Sequence, residues 1–185
     1  MCASSSKSNF KSALKSHPIK MKIHITGNAG SGKTTLASRL GEALDLPVYS
    51  LDSVVWKERW VAASKEERTQ GENELIGHDH WVIEGVSRLV RDNSDYVVFL
   101  DVPRTICVFR CLKRNLPYLF RSRPELPANC PEIMILPRLL KLIWNFPSLG
   151  KPAILSSLNQ KRGIVIKGSS NIDELVAQIL RDLNK

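Results

Sequence analysis

With 185 residues, of which 43% are hydrophobic and 24% are charged, the chain has the composition of one soluble domain that can bury a sizeable core. Its net charge of +9 favours anionic partners, namely nucleotides, nucleic acid or an acidic membrane surface. No transmembrane helix is predicted, because the most apolar stretch, EIMILPRLLKLIWNF, is too short and is interrupted by Pro137, Arg138 and Lys141.

Residues 1–20 differ in character from the remainder of the chain. This segment is rich in serine and lysine, has few large apolar side chains and carries four positive charges without an acidic residue. It cannot bury enough apolar surface to offset its ordering entropy, so we predict a disordered basic tail over 1–20 and a folded domain over 21–185. The lack of a secretory signal and of C-x-x-C pairs predicts a cytoplasmic protein with reduced thiols, among them Cys107 and Cys111 in the core.

Short apolar runs alternate with helix-period segments after the tail. Strands are predicted at 22–26, 47–51, 81–85, 96–102 and 163–168. Helices are predicted at 33–44, 64–77 (with a Ser64–Glu67 capping box), 104–116, 138–146, 151–160 and 171–183 (capped by Asn171). Five prolines between 117 and 137 indicate an excursion without regular structure. The alternation predicts an α/β fold, a three-layer architecture in which a parallel five-stranded sheet has helices on both faces.

The first predicted strand leads into GNAGSGKT (27–34), a full match to G-x-x-x-x-G-K-[ST]. Its glycines let backbone N–H groups approach phosphate oxygens at the start of a helix. We expect Lys33 to reach the β- and γ-phosphates of ATP and the Thr34 hydroxyl to bind Mg²⁺. The predicted nucleotide-binding residues are Gly27, Asn28, Ala29, Gly30, Ser31, Gly32, Lys33, Thr34 and Thr35.

Two classes of P-loop protein are disfavoured by missing motifs. A GTPase needs a guanine-reading Asn-Lys-x-Asp sequence, which the chain lacks. A motor ATPase usually ends an apolar strand in Asp-Glu, but here VVFLD is followed by Val102.

Other segments resemble one group of P-loop enzymes. WVIEGVSR (81–88) resembles the Asp-Gly-x-Pro-Arg segment of nucleoside monophosphate kinases, and DYVVFLDVPRTICVFRCLKR resembles the strand and helix that follow it there. Over nearly all of 21–183, GNAGSGKTTLASRLGEALDLPVYSLDSVVWK, RPELPANCPE and LIWNFP are similar to the adenylate kinase-related proteins often labelled topology modulation proteins. The resemblance implies a P-loop NTPase fold of the nucleotide-kinase type, with ATP and Mg²⁺ as cofactors.

The resemblance also implies roles for polar residues that follow the predicted strands, where open parallel sheets bind ligands. Glu84 stands where relatives carry an Asp that orients Mg²⁺, and Asp101 is a second metal candidate. Arg88 falls where the family clamps the acceptor. Asp52 is a candidate for binding an acceptor hydroxyl or acting as a base, with a helix N-cap as the alternative.

An arginine-rich segment predicts a lid over about 117–137. Arg110 and Arg114 lie four residues apart on one helix face, and Arg121 and Arg123 follow among the prolines. In kinases of this type such a lid closes over the transferring phosphoryl group, so Arg114 and Arg123 are predicted to be catalytic. The alternative is a solvated basic face.

The predicted function is transfer of the γ-phosphate of MgATP to a nucleotide or small-molecule acceptor. Trp56 and Trp60 are candidates for the wall of the acceptor pocket, whereas Trp81 and Trp144 are expected in the core. The alternatives are a nucleic-acid-associated ATP-binding protein, which the absence of a reader module disfavours, and a nucleotide-dependent switch. The sequence leaves the oligomeric state open.

Overall fold

The computed structural model describes residues 20–57, 61–118, 132–168 and 171–184. The predicted tail lies outside these ranges except for Lys20, and so do residues 119–131 of the predicted lid, with Arg121 and Arg123. Trp60 also lies outside them.

A parallel five-stranded sheet organises the described residues. Its strands are β1 (Lys22–Gly27), β2 (Val48–Ser50), β5 (Trp81–Glu84), β6 (Tyr96–Asp101) and β7 (Gly163–Lys167). They lie in the order β2–β5–β1–β6–β7, and each neighbouring pair is parallel. Two further short strands, β3 (Trp56–Lys57) and β4 (Val61–Ala62), pair antiparallel to each other and were not predicted.

Helices connect and cover the strands. They are α1 (Lys33–Leu44), α2 (Asp52–Val55), α3 (Lys65–Ile76), α4 (Arg88–Asp92), α5 (Arg104–Asn115), α6 (Glu132–Leu149), α7 (Lys151–Leu158) and α8 (Ile172–Leu183), with a 3₁₀ turn at Leu116–Tyr118. The capping box of α3 is confirmed: Glu67 N–H donates to Ser64 Oγ, and Ser64 N–H donates to the Glu67 carboxylate. Within the described residues, none of the helices is long and apolar enough to cross a membrane.

Apolar side chains leave both faces of the sheet and pack on different helices. On one face the cluster joins β1 to α1 and α8 through Ile23, Ile25, Leu36, Leu40 and Ile179. On the other face, Phe99 of β6 packs with Phe146 of α6 and Ile154 of α7. On the same face, Ile83 of β5 packs with Val90 of α4. The predicted three-layer α/β architecture is therefore confirmed.

Helix α6 corrects the prediction of an irregular excursion up to residue 137. It begins at Glu132 and contains Pro137 and Pro147. A proline removes one backbone hydrogen bond from a helix, but burial of the apolar side chains of Ile135 and Ile143 on the core side offsets that loss. Local propensity was therefore overridden by tertiary packing.

Candidate active site

The predicted nucleotide-binding residues form one continuous loop between β1 and the first turn of α1. Ser31 N–H donates to the carbonyl oxygen of Asn28 across the loop at 3.2 Å. Gly30 has φ +78°, and a Cβ there would lie 2.5 Å from the carbonyl oxygen of Cys107 on α5. The loop therefore packs directly against the backbone of α5, and that position requires glycine.

Lys33 is partly buried at the start of α1, and charged side chains from three other elements surround it. Its Nζ donates to the carbonyl oxygen of Asn28 at 3.0 Å. Burial lowers the pKa of Lys33, the nearby carboxylates of Glu84 and Asp52 raise it, and the Arg114 guanidinium lowers it again. Four of the predicted catalytic side chains thus lie within electrostatic range of one another.

Glu84, at the end of β5, joins the end of β2 to the start of α1. Its Oε1 accepts a hydrogen bond from Ser50 Oγ at 2.7 Å and one from Thr34 Oγ1 at 3.2 Å, and the residue is only 4% exposed. The register explains this convergence, because Glu84 at the end of β5 pairs with Ser50 of β2 on one side and with Ile25 of β1 on the other. The structure thus brings Glu84 to Thr34, the last residue of the predicted phosphate loop (27–34).

Thr34 and Glu84 suit a magnesium ion in their chemistry. Both offer hard oxygen ligands, which Mg²⁺ prefers, and Mg²⁺ usually takes one or two protein ligands together with phosphate and water oxygens. Among the described residues there is no group of three or more His, Cys, Asp or Glu side chains that could hold a metal by itself. The pair therefore fits a nucleotide-bound Mg²⁺ rather than an independent metal centre.

Asp101, the second metal candidate, has a different partner. Its Oδ2 accepts from Lys151 Nζ at 2.8 Å, in a partly buried ion pair between the end of β6 and the start of α7. The structure does not bring Asp101 into the hydrogen-bonded group of Thr34, Ser50 and Glu84.

Asp52 and Arg88 lie on short helices that follow β2 and β5. Asp52 is exposed, opens α2 and acts electrostatically on Lys33. Arg88 opens α4, and its side chain is 87% exposed and pairs with Asp92 at 3.4 Å. Ser87 just before it caps α4 by accepting from the Val90 N–H.

Two of the arginines of α5, Arg110 and Arg114, lie near the phosphate loop. Arg110 Nη1 lies 4.0 Å from the position that a Cβ would take at Gly32, and Arg114 lowers the pKa of Lys33. Sequence reasoning chose Arg114 and passed over Arg110. The spacing of four residues between them was the signal that could have identified both.

Helix α6 takes part in two contacts between an arginine and a tryptophan ring. The guanidinium carbon of Arg138 lies 5.7 Å from the centroid of the Trp56 ring, which connects α6 to the segment that follows Asp52. Trp144 was expected in the core, but it is half exposed and Arg104 stacks on its ring at 4.0 Å. Trp81 is fully buried, as predicted.

A buried histidine lies in β1, below the loop. His24 is 0% exposed, and its Nε2 donates to the carbonyl oxygen of Gly85 at 3.1 Å. Burial lowers its pKa from 6.5 to about 3; the Gly85 hydrogen bond opposes this shift, and the charges of Arg91 and Lys33 add to it. His24 is therefore neutral at physiological pH.

Comparison with known sequences gives partial matches. No protein-family model matches the chain. The uncharacterized protein YqaC of Bacillus subtilis (strain 168) is 29% identical over 103 residues, which cover 52% of this chain and 58% of that protein. A shikimate kinase of Caldicellulosiruptor bescii is 39% identical over 67 residues, covering 36% of this chain and 39% of the kinase. The chain thus spans less than two thirds of either relative.

Solved structures match over nearly the whole chain. A shikimate kinase from Acinetobacter baumannii in complex with shikimate has a TM-score of 0.58 at 21% identity, covering 92% of this chain and 96% of that one. A gluconokinase from Sinorhizobium meliloti 1021 has 0.54 at 16%, covering 91% and 94%. A deoxyadenosine kinase from M. mycoides with bound dATP has 0.54 at 15%, covering 89% and 100%. The chain therefore shares the fold of these kinases.

Two contacts in this fold could not be predicted from the sequence. The bond from Thr34 to Glu84 joins residues 50 positions apart, and the stacking of Arg138 on Trp56 joins α6 to the segment after β2. No local pattern in the chain indicates either contact, because both depend on which strand ends and helices become neighbours.

Proposed function

We propose that the protein is a MgATP-dependent phosphotransferase. The observation that carries this proposal is the position of Lys33, whose ammonium lies in the phosphate loop and within electrostatic range of Glu84 and Asp52. A charge arrangement of this kind serves phosphoryl transfer, which depends on positioning and on stabilising negative charge. The closer relationship to adenylate kinase-related proteins stays a prediction.

Each group around the loop has a task in this proposal. The loop amides and Lys33 hold the phosphates, while Thr34 and Glu84 would hold the magnesium ion, which would neutralise negative charge on the phosphates. Arg110 and Arg114 on α5, together with Arg123, stabilise charge on the transferring phosphoryl group. Arg88 clamps the acceptor. The ion pair of Asp101 with Lys151 links the end of β6 to the start of α7.

We propose an alcohol hydroxyl as the acceptor group. The carboxylate of Asp52 lies within electrostatic range of Lys33, and we assign it the task of taking the proton of an acceptor hydroxyl; the same carboxylate would repel an acceptor phosphate. The kinases of similar fold are named for shikimate, gluconate and deoxyadenosine, small molecules that carry hydroxyl groups. A nucleoside monophosphate is the second candidate, and none of the described residues or relatives favours nucleic acid.

The test is MgATP consumption against a panel of small alcohols, polyols, nucleosides and nucleoside monophosphates. We expect turnover with an alcohol, and a fall of about 100-fold or more when Asp52→Asn removes the base while ATP affinity is kept. Asp79→Asn is the matched control, because Asp79 is exposed and precedes the amino end of β5, whereas Asp52 follows the carboxyl end of β2. Turnover with nucleoside monophosphates alone would refute the alcohol acceptor, and silence across the panel would favour a nucleotide switch.

Lys33→Ala tests the phosphotransferase proposal as a whole. We expect the loss of ATP binding in a folded protein, because the partly buried ammonium contributes to phosphate binding while its burial costs stability. Calorimetric titration with MgATP and urea unfolding measure the two effects. Wild-type ATP affinity in the folded variant would contradict the proposal.

A further inference from the structure

Asn28, the second residue of the phosphate loop, is bound to a helix far away in the sequence. Its Nδ2 donates to the carbonyl oxygen of Ile143 in the middle of α6 at 2.9 Å, across a sequence separation of 115 residues. Both residues are buried: Asn28 is 3% exposed and Ile143 is 0% exposed. A buried hydrogen bond of this kind is costly to leave half-made.

The reason that Ile143 needs this donor is visible four residues later. In an α-helix the carbonyl of residue 143 accepts from the N–H of residue 147, but residue 147 is a proline inside α6 and has no N–H. The side-chain amide of Asn28 supplies the missing hydrogen bond. The proline in α6 and the asparagine in the loop are therefore structurally complementary.

The backbone carbonyl of Asn28 accepts hydrogen bonds from other residues of the loop. Its carbonyl oxygen accepts from Lys33 Nζ at 3.0 Å and from the Ser31 N–H at 3.2 Å. Asn28 thus contacts the ammonium of Lys33, which we assign to phosphate binding, through its backbone. Through its side chain it contacts the middle of α6. A shift of Lys33 towards a phosphate acts on Asn28 directly.

Helix α6 carries this connection onwards to the acceptor side. Arg138 precedes Ile143 by five residues, about 7.5 Å along the helix axis, and its guanidinium carbon lies 5.7 Å from the centroid of the Trp56 ring. Trp56 belongs to the segment that begins at Asp52, the proposed acceptor base. The phosphate loop and the segment of Trp56 are therefore joined through one helix.

We propose that Asn28 is a positioning residue that couples nucleotide binding at the phosphate loop to the position of α6 and, through Arg138, to Trp56, the candidate for the wall of the acceptor pocket. The proposal rests on nucleotide binding by the loop but not on turnover or on the identity of the acceptor. Coupling of this type needs a physical element that both sites bias, and α6 is that element.

Hydrogen–deuterium exchange with MgADP as the probe tests the coupling. In the wild type we expect MgADP to slow exchange in the loop and, by about fivefold or more, in residues 138–149. In Asn28→Ala we expect the loop to respond and the helix response to fall below about twofold. Asn93→Ala is the matched control, because the Asn93 amide also donates to a helix carbonyl, that of Leu89, but at an exposed position.

The outcomes separate the two proposals. If MgADP changes exchange in neither the loop nor the helix of the wild type, nucleotide binding itself is refuted. If the loop responds but α6 does not, or if α6 responds equally in Asn28→Ala, the coupling is refuted while the proposed function stands.

Pro147→Ala provides the rescue that a merely local role of Asn28 does not predict. Alanine at 147 restores the helical N–H to the Ile143 carbonyl, so the Asn28 amide becomes dispensable there. We expect Asn28→Ala to raise the unfolding constant about tenfold in the wild type but about threefold or less in the Pro147→Ala background. Equal effects in both backgrounds overturn the pairing. If Asn28→Ala does not fold alone, recovery of folding in the double variant supports it, and failure in both overturns it.

Discussion

Replacing Glu84 with glutamine tests the proposed magnesium site directly, because the two side chains have nearly the same shape. Glu84 Oε1 accepts from Ser50 at 2.7 Å and from Thr34 at 3.2 Å, and an amide oxygen can accept both bonds. The loss of charge assistance costs about 1 kcal/mol per bond, whereas relief from burying a carboxylate acts in the opposite direction. We therefore expect the free energy of unfolding to change by less than about 2 kcal/mol.

Nucleotide binding should respond much more strongly than stability does. Removing a carboxylate that holds or orients a metal costs about 10- to 100-fold in metal affinity, which corresponds to about 1.4–2.7 kcal/mol. ATP without metal should bind Glu84→Gln as well as the wild type or better, because a negative charge near Lys33 has been removed. The variant thus separates metal-dependent from metal-independent binding.

Calorimetric titration of ATP in saturating magnesium and in EDTA measures both affinities. Their ratio should fall about 10- to 100-fold in Glu84→Gln. Glu74→Gln is the control, because it makes the same substitution at an exposed position on α3. A magnesium-dependent gain in the folded Glu84→Gln variant within about twofold of the wild type would refute the assignment of this carboxylate to the metal.

Three further predictions address the lid side, the loop and the core. Arg110→Ala should lower turnover about 100- to 1000-fold and change the ATP dissociation constant by less than about threefold. Lys113→Ala, on the exposed face of α5, should leave both quantities unchanged. Steady-state kinetics measures the turnover, and titration with ATP measures the dissociation constant. Gly30→Ala should cost more than about 2 kcal/mol in urea unfolding, because its Cβ would meet a backbone oxygen at 2.5 Å. Gly168→Ala has a similar φ but no atom of the described residues within 4 Å of its Cβ, so it should cost about 1 kcal/mol. Equal costs would contradict the packing argument. Below pH 6.5 His24 binds a proton in the unfolded chain but not in the folded protein, where its pKa is lowered to about 3. The free energy of unfolding should therefore fall as the pH falls. Between pH 7 and pH 4, urea unfolding should show a decrease in this free energy that is about 3 kcal/mol larger in the wild type than in His24→Gln.

Features that depend on local sequence were predictable. The glycine loop, the Ser64–Glu67 capping box, the Asn171 cap and the apolar strands were all read from neighbouring residues, and the structure places each element within a few positions. The reason is that hydrophobic periodicity and capping chemistry act over one or two helical turns or one strand. The α/β class followed from the alternation of these elements.

Packing overrode the local signals at two places. Prolines predicted an irregular stretch up to residue 137, yet α6 begins at Glu132, because its apolar side has a core to pack against. Trp144 reads as a core residue in an apolar stretch, yet it is half exposed, because that side of α6 faces Arg104 rather than the core.

By itself, the sequence determined that a phosphate loop stands at the end of a buried strand and that acidic residues end the neighbouring strands. Only the tertiary structure decided which of those residues meet. The strand order β2–β5–β1–β6–β7 brings Glu84 to Ser50 and Thr34, and the packing of α6 against the loop brings Asn28 to Ile143. Periodicity reports which side chains are buried, whereas a hydrogen bond across 34 to 115 residues depends on which elements become neighbours when the layers pack.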